Sequence, residues 1–139
     1  MSMFTLRVIG LAVCVVLFGG CREKQAEKPT VVHSYTVRGQ VVTVPVAGDP
    51  RTEFSARHEA IPEFKGPGGE LGMNTMVMPF PLQDGVSLDG IEVGDKVEIT
   101  FEVIYDTVKQ TPVDWDAVGV KELPAETELN FSELPKKAG

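Results

Sequence analysis

A chain of 139 residues with 20 acidic and 13 basic side chains, a net charge of −7 and two cysteines has room for one small domain with extended ends, not for two domains with cores of their own. The acidic balance excludes nucleic acid and anionic lipid surfaces as partners reached through the net field. Cys14 lies in an apolar leader and Cys21 at its end. After processing no thiol is left for a disulfide, a thiolate zinc site, a CxxC redox pair or a cysteine-ligated blue copper centre.

Residues 1–20 read as an export signal: Arg7 as the basic side chain, an apolar run from Val8 to Phe18, then small residues before Cys21. The run is too short to span a bilayer. Leu17-Phe18-Gly19-Gly20-Cys21 resembles the bacterial lipobox, with Phe18 standing where leucine is usual, and implies a lipidated Cys21 as the first mature residue. The alternative is an ordinary secreted protein cut near the same place. Either way the expected location is the cell envelope, outside the cytoplasm. An anchor for so acidic a chain has to be covalent, through the lipid.

Residues 21–33 form the expected flexible tether, charged and polar up to about Thr30. The β-branched run from Val31 to Val46 predicts a long first strand, with a bulge or bend at Gly39. Ala47-Gly48-Asp49-Pro50 is a turn, and Arg51 to His58 the returning strand. Pro62 to Gly72, rich in glycine and proline, is expected as an irregular loop. Met73 to Leu82 is the third strand. Lys96 to Tyr105 alternates strictly between apolar and polar residues and predicts a half-buried fourth strand. Val113 to Leu123, carrying Trp115, is the fifth. The tail, residues 124–139, is expected to be mobile, with a short helix at Glu126 to Leu134. Five antiparallel strands in residues 34–123 predict an all-β fold, a small five-stranded OB-like barrel, because closure removes exposed edges.

Three of the five methionines, Met73, Met76 and Met78, fall within six residues, and the other two are in the leader. Residues two apart on a strand share a face, so Met76 and Met78 point the same way. Their flexible thioethers can swing onto one ion. His58 ends the preceding strand, and antiparallel pairing brings its imidazole beside them. Thioether and imidazole donors without carboxylate or thiolate select Cu(I) or Ag(I) over calcium, magnesium or manganese. Neutral donors leave the ion's charge uncompensated, which suits an exchangeable carrier. Glu59, Glu63 and Glu70 surround the motif as a cation-attracting or simply solvated face. His33 reads as a solvated surface histidine, and Trp115 as core or rim packing rather than a cation–π partner of the ion.

His58-Glu59-Ala60-Ile61-Pro62 followed by Met76-Val77-Met78-Pro79-Phe80 resembles the signature of the CusF-like periplasmic copper-binding proteins, and the likeness extends from about Tyr35 to Leu123. The resemblance implies an OB-like barrel that binds Cu(I) or Ag(I) through the histidine and the two methionines. It also implies delivery of the ion to an envelope efflux system or a copper-delivery partner. Where the family carries a tryptophan that stacks on the metal, this chain has Met73, as a further sulfur ligand or an apolar cap. The loop between histidine and Met-x-Met is longer, with Lys65 to Gly72 as insertion, and Val77 replaces a threonine. The expected protein is a monomeric, non-enzymatic metallochaperone. The rival is a lipid-anchored structural adaptor whose methionines pack a core. An electron-transfer copper protein is disfavoured because no thiolate is available. No nucleophile motif or phosphate-cradling glycine pattern speaks for hydrolysis or nucleotide binding.

Overall fold

The computed structural model describes residues 27–136. The leader and Cys21 lie outside the described residues. Seven strands follow in order: β1 (Thr30–Thr43), β2 (Ser55–His58), β3 (Ile61–Lys65), β4 (Leu71–Met73), β5 (Met76–Pro79), β6 (Lys96–Asp106) and β7 (Thr111–Glu122). Five of them make one antiparallel sheet in the order β5-β2-β1-β6-β7, while β3 and β4 pair as a separate hairpin.

The sheet closes on itself. Just after β5 the chain bridges in parallel to β7 at Leu82 and Ala117. The Ala117 amide donates to Pro81 O (2.7 Å) and the Gln83 amide to Ala117 O (3.0 Å). The indole N–H of Trp115 adds a bond to Pro79 O at 3.1 Å. The result is the small five-stranded OB-like barrel expected from the sequence. Its interior follows the alternation of β6, where Val97, Ile99, Phe101, Val103 and Tyr105 are buried. Phe54, Phe80 and Phe101 form its aromatic centre, with Phe80 edge-on to Phe101 at 5.4 Å between ring centroids.

Several features differ from the sequence reading. The returning strand is only Ser55–His58, and the strand expected from Met73 to Leu82 is only Met76–Pro79, with Met73 on β4 of the separate hairpin. β1 begins at Thr30, within the stretch assigned to the tether, because Thr30 to His33 continue the backbone ladder to Val103–Asp106 although Val31 and Val32 stay exposed. The Pro62–Gly72 loop contains the β3–β4 hairpin, whose Ile61 and Phe64 are buried beneath a glycine-rich tip. The tail from 124 to 136 has no helix; it runs as extended chain against the barrel. Finally, the irregularity in the β1–β2 pairing falls between Val41 and Thr43, not at Gly39.

Gly39 serves another purpose. It pairs with His58 on one side and Val97 on the other, and a Cβ there would lie 2.6 Å from Arg57 O and 3.1 Å from His58 Cα. The missing side chain is what lets β2 cross β1 so closely. Gly39→Ala is therefore expected to destabilise the domain by about 1–3 kcal/mol through overpacking against backbone. Urea melts would measure it, and an unchanged midpoint would mean that β2 yields at no cost.

Candidate metal-binding site

The register of the β2–β5 pair sets the site. His58 stands directly opposite Met76, and Ala56 opposite Met78, so all four side chains occupy the same, inward face. Opposed residues of an antiparallel pair have Cβ atoms roughly 5 Å apart, within reach of an ion held between an imidazole and a thioether. Met78 is 9% exposed and Met76 is 49% exposed, so one sulfur-bearing side chain lies in the core and the other at the rim. Met73 comes from β4 and is half-buried. Its strand pairs Met73 with Ile61 of β3, so the insertion folds back and presents Met73 to the barrel.

Met73, Met76 and Met78 border one cavity of about 270 Å³, which Trp115, Phe64 and Phe101 also line. Every residue in its wall is apolar. His58 does not line this cavity. It is fully buried beside Met76, edge-on to Phe80 with ring centroids 6.2 Å apart.

The imidazole is held in a definite state. Its Nδ1 lies 2.6 Å from Glu59 O. A carbonyl only accepts, so Nδ1 carries the proton and the neutral ring keeps its lone pair on Nε2. That Nε2 is buried and has no hydrogen-bond partner. Buried acceptors are almost always satisfied, and an orphan costs about 1–3 kcal/mol. Burial also pushes the His58 pKa below its ordinary value, against the upward pull of the Glu59 carbonyl. Burial and the tautomer both favour a neutral ring with Nε2 free of a proton, the state a metal needs. The surrounding backbone is braced as well: Thr75 Oγ1 donates to His58 O at 2.7 Å, and Arg38 holds the Glu59 carboxylate through two bonds of 2.9 Å. A buried nitrogen with a carbonyl behind it and a free lone pair in front could hold a metal ion.

Among the described residues no three His, Cys, Asp or Glu side chains cluster to hold a metal ion. The donors gathered here are of the thioether and imidazole kind, which match a soft monovalent ion.

The sequence model of the family described as copper binding periplasmic protein CusF matches residues 34–108, more than half of the chain, from within β1 to the turn after β6. The chain belongs to the CusF family. No curated protein and no solved structure matches it. CusF membership makes copper or silver binding in the periplasm its general function. β7, with Trp115, and the segment after it lie beyond the matched residues.

Sequence reasoning missed several parts of this candidate site in the CusF-family chain. Trp115 packs, as expected, but against the methionine cavity itself, with its ring pinned by the bond to Pro79. The roles of Thr75 and of the Glu59 carbonyl had no sequence signal, because both arise from β2 and the chain before β5 lying side by side. Glu59 is ion-paired to Arg38, so its charge is spent there rather than on attracting cations. His33 stands apart, half-buried and edge-on to Tyr105 at 5.1 Å, in a crevice that shares no lining residue with the methionine cavity.

Proposed function

We propose that the domain carries one Cu(I) or Ag(I) ion through His58 Nε2 and the thioethers of Met76 and Met78, with Met73 as fourth ligand or lid. It passes the ion to an envelope efflux or copper-delivery protein. In this reading the chain is exported, anchored to the membrane through a lipid on Cys21, and works as a monomer that turns over no substrate. The observation that carries it is the buried, unpartnered Nε2 of His58, opposite Met76 on the face that presents Met78 to an apolar cavity. A soft cation there would satisfy the orphan nitrogen and meet polarizable sulfurs without requiring a counter-charge. Transfer proceeds by stepwise ligand exchange, with Met73, on the hairpin side, the natural first group to release, and Met76, the most exposed of the three methionines, at the rim where a partner's ligand can enter.

The burial of Met78 favours a second reading, in which the methionines only pack the core of a lipid-anchored adaptor. The single tryptophan separates the two. Because Trp115 lines the cavity, titration with Ag(I) is expected to change its emission and to reach an end point at one ion per chain. Emission that stays flat, with no silver retained after gel filtration, would remove the carrier reading.

A further inference from the structure

β7 ends at Glu122, but the chain does not leave the surface there. Residues 123–135 run back over the outside of the barrel, with Leu129, Phe131 and Leu134 half-buried and Glu128, Asn130 and Ser132 exposed. The Lys96 ammonium fixes the start by donating to Ala125 O (2.6 Å) and Thr127 O (2.5 Å). Farther along, the Asn130 amide donates to Glu59 Oε1 at 2.6 Å. The Arg57 guanidinium lies 4.5 Å from the centre of the Phe131 ring. The Leu134 amide donates to Asn74 Oδ1 at 2.9 Å. Leu134 Cδ1 reaches within 2.8 Å of where a Cβ on Gly72 would stand.

These anchor points share a pattern. Arg57 and Glu59 flank His58, and Gly72 and Asn74 flank Met73. The segment grips the neighbours of both proposed ligands. Its grip matters most for β4. Ile61 and Phe64 seat β3 in the core, and the tip donates to Gln110 O and the Tyr35 hydroxyl. β4, by contrast, has three residues and its only strand partner is β3, so the strap adds a second hold on the backbone on either side of Met73. Gly72 has a φ of +105°, a conformation that glycine adopts freely, and its bare Cα is the seat for Leu134.

We propose that residues 124–135 are a strap that fixes the Met73 hairpin relative to the His58 strand and thereby sets how fast a bound ion is released, with Phe131 and Leu134 as positioning residues. The inference rests on the carrier reading above. A site shared between the sheet and a separately paired strand opens when that strand lifts, and removing contacts that exist only in the closed arrangement acts mainly on the dissociation rate.

The test uses the full mature chain, unmutated and as Phe131→Ala/Leu134→Ala, with Ag(I) as the probe and a chelator chase for release. Amide exchange is followed in the metal-free protein. The double variant is expected to release silver about tenfold faster and to exchange the amides of Gly72 to Thr75 faster, with β6 amides unchanged. Phe131→Tyr alone, which keeps a ring under Arg57, is expected to retain slow release. Unchanged release overturns the proposal, whatever the hairpin amides do, and so does faster exchange spread equally into β6. Should the unmutated chain retain no silver, the carrier reading fails by itself. Hairpin exchange in the metal-free variant then decides whether the strap holds the hairpin.

Discussion

Replacing His58 with leucine is expected to move metal binding and metal-free stability in opposite directions. Affinity for Cu(I) or Ag(I) should fall by about a hundredfold or more, because the only nitrogen donor of the site is removed. The metal-free domain should hold its stability or gain about 1–2 kcal/mol. The ring leaves Nε2 buried without a partner, at a cost of about 1–3 kcal/mol, whereas the bond from Nδ1 to Glu59 O returns a net of about 0.5–1.5 kcal/mol. Leucine removes both, and the larger of the two is the penalty. The same variant should flatten a pH dependence. Burial lowers the folded-state pKa of His58, so between that lowered value and about 6.5 the unfolded chain binds the proton more readily. Metal-free stability therefore falls as pH drops through this window and levels off below the folded value. Asp49, held low by Arg51, and Asp106, held low by the amide of Lys109, lose their contributions only in the more acidic carboxylate range. Urea melts from pH 8 down to pH 5, with and without the substitution, isolate the histidine. A metal-free His58→Leu protein that is clearly less stable than its parent would assign the ring a packing role instead.

The second large effect concerns the Met-x-Met pair. Met76→Leu/Met78→Leu should leave the metal-free melting temperature close to that of the parent, since Leu and Met are similar in volume and such swaps usually cost less than about 1.5 kcal/mol. Alanine would be a poor choice at Met78, whose burial would add a cavity cost of about 2–5 kcal/mol unrelated to metal. With free ion at about 1,000 times Kd, the parent gains about 4 kcal/mol. For a domain of this size each kcal/mol raises the melting temperature by roughly 4–8 °C. The double variant should show almost none of that rise. A full metal-induced rise in the variant would mean that the sulfurs are not ligands.

Much of the fold was legible because it is repetitive. The alternation of Lys96 to Tyr105 gave β6 its buried and exposed faces, and the run from Val31 gave β1 its length. The convergence of His58 with Met76 was legible for the same reason: antiparallel pairing of consecutive strands leaves few registers that keep an apolar face inside. Composition misled where tertiary contact decides. Pro62 to Gly72 looks like pure loop by its glycines, yet Ile61 and Phe64 find a place in the core and the flanking backbone pairs. Glu126 to Leu134 has helix-forming residues, but it is fixed by hydrogen bonds to Glu59 and Asn74, 71 and 60 residues away, and by Phe131 under Arg57, a relation that no local pattern encodes. Trp115 is the intermediate case. Its burial was foreseeable, but not that the barrel's closure would set it against the three methionines.

The wall of apolar residues around those methionines carries a consequence for oxidation state. Transferring an ion from water into surroundings of low dielectric constant carries a charging penalty that rises as the square of the charge. A dipositive occupant would face about four times the penalty of a monopositive one, with no carboxylate in the wall to offset it. The recess itself thus discriminates against cupric and zinc ions, in addition to whatever preference the sulfurs express.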